Sequence, residues 1–221
     1  MATYLDLKTD VERELNLQDE DLVTPAEMLK YANEAIDSAE ALIINLNEDY
    51  FLAEPFTITL VSGQSGYSLP SDIYAQKIRA IIYSNGNKVY RVTKANTFED
   101  FINLQANADF KYIVTNSYTN GVKLVFGPTP QEAGAFITVY YLRNAQTLVN
   151  DSDVIDLPEA YNYILQYVKD KCINKERFTP DAGPSPALVE EQKKLLTTLH
   201  QRFVDEKISE TSIDEYINEV I

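Results

Sequence analysis

The chain has 221 residues, 45% hydrophobic and 24% charged, enough for one large globular domain or two small ones. Its 34 acidic residues outnumber 19 basic ones and leave a net charge of −15. That balance excludes a cationic protein built to grip phosphates, although an acidic wall past which DNA slides is compatible with it.

Residues 1 to 22 are acidic, with a net charge of −5. Thr9 and Glu12 have capping-box spacing for a short helix carrying Val11 and Leu15, in a segment expected to order only on docking. Thr24-Pro25-Ala26-Glu27 is a strong helix start: threonine caps, proline occupies the first turn and glutamate closes the box. Met28, Ala32, Ala35, Ile36, Ala39, Leu42, Ile43 and Leu46 then follow helical spacing.

From 55 to 142 the hydrophobic period changes to two, which predicts about six strands. Phe56, Ile58 and Leu60 alternate with polar residues, and Ser62-Gly63-Gln64-Ser65-Gly66 reads as a turn. Ile78, Ala80 and Ile82 begin another strand, and Asn85-Gly86 and Asn120-Gly121 predict hairpins of type I′. Thr97 to Ile102 reads as a short helix. Val122, Leu124 and Phe126 form one strand face, Gly127-Pro128-Thr129-Pro130 ends it, and Ala135, Ile137, Val139 and Tyr141 form the face of the next.

Helix then returns. Asp156-Leu157-Pro158-Glu159 has the form of a cap, followed by a stripe of Tyr161, Ile164, Leu165, Val168 and Cys172. Ser185-Pro186 starts a further helix through Leu188, Leu195, Leu196, Leu199 and Phe203. Residues 204 to 221 are an acidic tail studded with Ile208, Ile213, Ile217 and Ile221. The expected fold is α+β: a helical bundle of 24–54 and 156–204, an antiparallel β-sheet subdomain of 55–155 inserted between its first and second helices, and an extended C-terminal arm of 205–221 after an acidic segment of 1–23.

Candidate chemistry is sparse. Asp151, Asp153 and Asp156 alternate, but a calcium loop needs a further ligand where Ile155 stands and a glycine after it, so a solvated turn is the better reading. His200 is the only histidine and lies beside an apolar helix stripe, which favours packing or an interface. Cys172, the only cysteine, excludes an intrachain disulfide, fits a reducing compartment and sits on a stripe where burial is the default. Gly63 to Gly66 is not followed by Gly-Lys-Ser/Thr and is no phosphate loop. No signal peptide is expected from the N-terminal sequence, and no apolar run approaches the about 20 residues of a membrane span. Neither a cofactor, a metal nor an enzymatic activity is expected. Tyr112, Tyr118 and Tyr140 fit either a sheet interior or a protein interface.

The ordered set of a Thr-Pro-capped helix, the corner Tyr67-Ser68-Leu69-Pro70-Ser71-Asp72, the hairpin Phe126-Gly127-Pro128-Thr129-Pro130 and the helix start Asp156-Leu157-Pro158-Glu159-Ala160-Tyr161 resembles the head–tail adaptor proteins of short-tailed bacteriophages. A bias toward Asn, Ile and Lys makes crAss-like phages the expected source. The resemblance covers residues 24 to 205. It implies a virion protein, assembled in the bacterial cytoplasm, that forms a ring of twelve copies under the portal protein. Such a ring continues the DNA channel and offers its other surface to the next tail ring or nozzle protein. It implies that Ile208, Ile213, Tyr216, Ile217 and Ile221 bind the portal or a neighbouring copy. Tyr112, Tyr118 and Tyr140 are the candidates for the ring or tail interface. The alternative, a carbohydrate- or receptor-binding β module of a tail, explains the tyrosines but not the capped helices.

Overall fold

The computed structural model describes residues 1–16, 23–104, 109–117, 121–131, 133–177, 179 and 183–207. It is mixed α+β, with five α-helices and eight strands among the described residues. Two compact units divide the chain: one takes Met1–Tyr50 and the chain from Ala145 through the last helix, the other Phe51–Asn144.

The first unit is helical. Helix α1, Tyr4–Leu15, begins earlier than the Thr9 spacing suggests. Thr3 is its cap, in a reciprocal box with Asp6, and Thr9 is an interior residue whose hydroxyl donates to the Leu5 carbonyl. The helix forms because Tyr4, Leu7 and Val11 make a buried stripe against α4, Tyr161–Glu176. The expectation of a segment ordered only on docking is therefore corrected for residues 4–15. Helix α2, Pro25–Leu46, starts where predicted, with the Thr24/Glu27 box closed. It packs on α4 and on α5, Pro186–Lys207, and buries Met28, Ala32, Ala35, Ile36, Ala39 and Ile43; Leu46 turns out exposed and Ile44 buried.

Asp156 does not cap α4. Its carboxylate accepts from the Gln146 N–H instead, and Pro158–Ala160 form a 3-10 turn leading into the helix. On α4, Tyr163 rather than Tyr161 joins Ile164, Val168 and Cys172 in the interior. Helix α5, Pro186–Lys207, buries Leu188, Leu195, Leu199 and Phe203. It runs to Lys207, so the first four residues of the expected tail are helical.

The second unit holds two four-stranded sheets rather than one. The first has the order β1-β8-β3-β4, with β1 Phe56–Thr59, β3 Ile73–Ser84, β4 Val89–Arg91 and β8 Phe136–Arg143. The second has the order β2-β7-β6-β5, with β2 Gly66–Ser68, β5 Thr93–Lys94, β6 Lys111–Ser117 and β7 Gly121–Gly127. Pairing is antiparallel except between β5 and β6. The inner faces share a core of Ile58, Leu60, Tyr67, Ile81, Tyr83, Leu124, Phe126, Ile137 and Val139.

Three local predictions change for physical reasons. A bulge between Ile73 and Ala80, with Ala75 and Gln76 in the left-handed region, shifts the phase of β3, so Ile81 and Tyr83 point inward rather than Ile82. The Asn85-Gly86 hairpin closes through a longer loop than type I′: Ser84 pairs with Val89, and the Asn85 carboxamide oxygen accepts from the Asn87 and Lys88 N–H groups. Gly127 is not required for a positive φ. A Cβ there would lie 2.9 Å from Phe101 Cε2 and 3.2 Å from Leu104 Cδ1, so glycine lets α3, Phe98–Ile102, lie on the sheet.

Candidate interaction surface

The two corners that carry the resemblance are built by side-chain contacts. In the Tyr67 corner the phenol donates to the Gln64 carbonyl and accepts from the Val61 N–H at 2.9 Å, which pins the turn between β1 and β2. At its far end the Asp72 carboxylate accepts from Tyr141 at 3.2 Å and the Asp72 carbonyl from the Asn144 N–H at 2.7 Å. In the second corner Leu157 is fully buried and Glu159 accepts from Tyr50 at 2.7 Å and pairs with Arg202 of α5. Burial raises Glu159, but the Tyr50 hydroxyl and Arg202 outweigh it and hold the carboxyl below its ordinary range. Burial, followed by that same hydrogen bond, pushes the Tyr50 phenol up. Tyr161 closes α1 onto α4 by donating to Asp10 at 2.7 Å, and Lys169 pairs with Glu14 at 2.7 Å.

The Asp151–Asp153 stretch is a turn. The Asp153 carboxylate accepts from the Val149 and Asn150 N–H groups, which lowers its pKa, and the Asp151 and Asp153 carbonyls accept from the first turn of α1. Cys172 is buried, and desolvation lifts its thiol to about 11. His200 is exposed on α5, next to buried Leu199. Among the described residues no cluster of three His, Cys, Asp or Glu side chains could hold a metal, and no helix is long and apolar enough to cross a membrane. A cleft of about 610 Å³ on the helical unit is lined by Tyr4, Pro25, Leu29 and Val149, with Lys8 and Asp151 of opposite sign at its wall.

Of the sequence-derived interface residues, Tyr112 and Tyr140 are described. Tyr112 is buried in the core of the β unit, where desolvation raises its phenol. Tyr118, Ile208, Ile213, Tyr216, Ile217 and Ile221 lie outside the described residues. Tyr140 is half-buried, and it lies on the outer face of the first sheet.

That face carries exposed apolar side chains in adjacent strands. The strand register puts Phe136 opposite Thr59 on one side and Ser84 on the other, with Val89 beyond. The next outward row holds Thr57, Thr138, Ile82 and Arg91, and Tyr140 lies opposite Ala80. Phe136 is 48% exposed and Val89 39%, while Ile82 and Tyr140 are half-buried. Large apolar side chains in neighbouring rows of an open sheet face mark a contact surface more often than a solvated one. The Arg91 guanidinium donates to the Arg79 carbonyl at 3.0 Å, which holds it at the rim of this face. On the second sheet, α3 covers Gly127 with Phe101 and leaves Phe98 67% and Ile102 60% exposed.

The sequence carries a signal for the outer face. In β8 both phases are apolar: Ile137, Val139 and Tyr141 on one side, Phe136 and Tyr140 on the other, with Leu142 of that second phase already fully buried. Such a strand is one destined for cover on both faces. A second countable signal is the division of charge. Residues 51–144 carry eight Lys and Arg against six Asp and Glu, a net of +2, so the remainder of the chain carries −17. All eight strands together contain seven basic residues and no acidic one.

A family model for the SU10 adaptor protein matches residues 2–187. The chain belongs to the SU10 adaptor protein family. The match spans α1 to the start of α5, so it takes in both compact units and both leucine–proline corners of the adaptor. No curated protein matches this adaptor significantly. As a member of an adaptor family it is a structural component of a phage virion that assembles with head and tail proteins.

Proposed function

We propose that this adaptor forms a ring, of twelve copies, directly beneath the capsid portal, joins the capsid to the next tail ring or nozzle protein, and continues the channel through which DNA leaves. In this reading the helical unit is the bundle, the β unit is its insertion, and residues 208–221 are a docking arm. The protein acts by binding alone, without catalysis, cofactor or metal, and assembles in the host cytoplasm. The observation that carries the proposal is the family match across both units. The acidic balance supports it, because a wall of net negative charge lets DNA pass without gripping it.

The test is the mass of the purified full-length protein with and without its portal, by analytical ultracentrifugation. The expected result is monomer alone and a fixed whole number of copies bound per portal. Failure to associate with portal, or closed dodecamers in its absence, overturns the proposal.

A further inference from the structure

We propose that the outer face of the sheet β1-β8-β3-β4 is the docking site for residues 208–221 of a second copy of this chain; the inference rests on the ring reading above. The face offers Phe136 and Val89 exposed, Ile82 and Tyr140 half-buried, and Arg91 at its rim. The strands that build it hold four basic residues and no acidic one, in a chain with 34 acids. An apolar sheet face with a cationic rim selects a segment that is apolar along one line and anionic beside it.

This chain carries such a segment. Residues 208–221 contain four acidic and no basic residues, and Ile213, Ile217 and Ile221 recur every fourth position. Asp214, Glu215 and Glu219 stand between them, and Glu210 precedes them. A face and a segment that differ but complement each other, both on one chain, define a heterologous contact. Heterologous contacts pass from copy to copy and close into a ring where the rotation between copies permits, whereas two identical acidic segments repel.

The contact is measurable without portal. A fluorescently labelled synthetic peptide of residues 208–221 is titrated against the full-length protein at low salt and followed by anisotropy. Saturable binding is expected, weakened about tenfold or more by Arg91→Glu and by Phe136→Ser. A peptide carrying Glu215→Lys and Glu219→Lys should regain binding to the Arg91→Glu protein. In parallel, full-length chains bearing Phe136→Cys or Ile217→Cys are mixed and oxidised; Cys172 is buried and does not compete. The expected product is a disulfide-linked pair of chains. No saturable binding, equal binding to wild type and both variants, or a chain carrying Phe136→Cys and Ile217→Cys together that on oxidation closes on itself as a monomer overturns the docking site. If peptide and cross-link behave as expected but portal is not bound, the ring reading falls and this one stands.

Discussion

Gly127→Ala tests the packing that the Gly-Pro-Thr-Pro hairpin exists to allow. The added methyl would lie 2.9 Å from Cε2 and 3.0 Å from Cζ of Phe101, and 3.2 Å from Cδ1 of Leu104. Carbon atoms rest about 3.5–4.0 Å apart, so α3 must lift by roughly 0.5–1 Å or Phe101 must leave its rotamer. Overpacking of this size costs about 1–3 kcal/mol. For a chain of this length each kcal/mol moves the midpoint by about 2–4 °C, so a drop of about 2–12 °C is expected in thermal unfolding. The cause can be isolated with a double-mutant cycle. Phe101→Ala removes the obstruction, so Gly127→Ala should cost little more in that background, leaving a coupling of about 1 kcal/mol or more. Additive effects of the two substitutions, or a neutral Gly127→Ala, would refute the account of why glycine stands here.

Two further predictions concern the helical unit. Asp170 is 7% exposed and accepts from Gln166 Nε2 and from the Ser185 N–H and hydroxyl, each at 2.9 Å. Asp170→Ala strips the start of α5 of this anchor and should cost about 2–4 kcal/mol in denaturant unfolding, with Asp170→Asn milder; equal stability of all three proteins would remove the anchor from the argument. Lys175, followed by the Thr24 N–H and hydroxyl, depresses Glu27 from 4.5 to about 2. A carboxyl whose folded pKa lies below its unfolded one stabilises fully above the unfolded value, and that contribution is lost as pH falls from 4.5 toward 2. Lys175→Met should therefore flatten the decline of the melting temperature across that window, and an unchanged slope would show that the pair contributes nothing.

Most of what was legible in the sequence came from caps and periodicity. Thr24-Pro25-Ala26-Glu27 announces α2 because its box closes within four residues and needs nothing from the rest of the fold. Ala135, Ile137, Val139 and Tyr141 announce the inner face of β8 for the same reason: alternation is local. The failures share a different cause. Thr9 and Thr3 are each followed three residues later by an acid, and only the burial of Tyr4, Leu7 and Val11 against α4 decides for Thr3. Asp156 resembles a cap, but the Gln146 N–H, ten residues away in sequence, claims its carboxylate. The phase of β3 turns on two register shifts, one across Ala75 and Gln76, neither a residue that favours positive φ, and one between Ile78 and Ala80. Tyr112 and Tyr140 look alike as strand tyrosines, and only register separates the one in the core from the one on the outer face.

The division of charge gives the net value of −15 a different meaning from the one composition suggests. A uniformly acidic chain repels its copies in every orientation. Here the repulsion is orientation-dependent, because residues 51–144 carry +2 and the remainder −17. Two helical units brought face to face meet with like charge, which disfavours a two-fold pair. A β unit meeting the acidic segment of another copy meets opposite charge, which favours a head-to-tail contact. The apolar rows of Phe136, Val89, Ile82 and Tyr140 supply burial where the two meet, and the missing carboxylates on the strands remove the repulsion that would oppose it. Charge of this kind selects orientation and rate more than affinity, and it is screened over about 8 Å at physiological salt. Self-contact through this face should therefore weaken as salt rises, whereas a contact held by apolar burial alone would hold or strengthen.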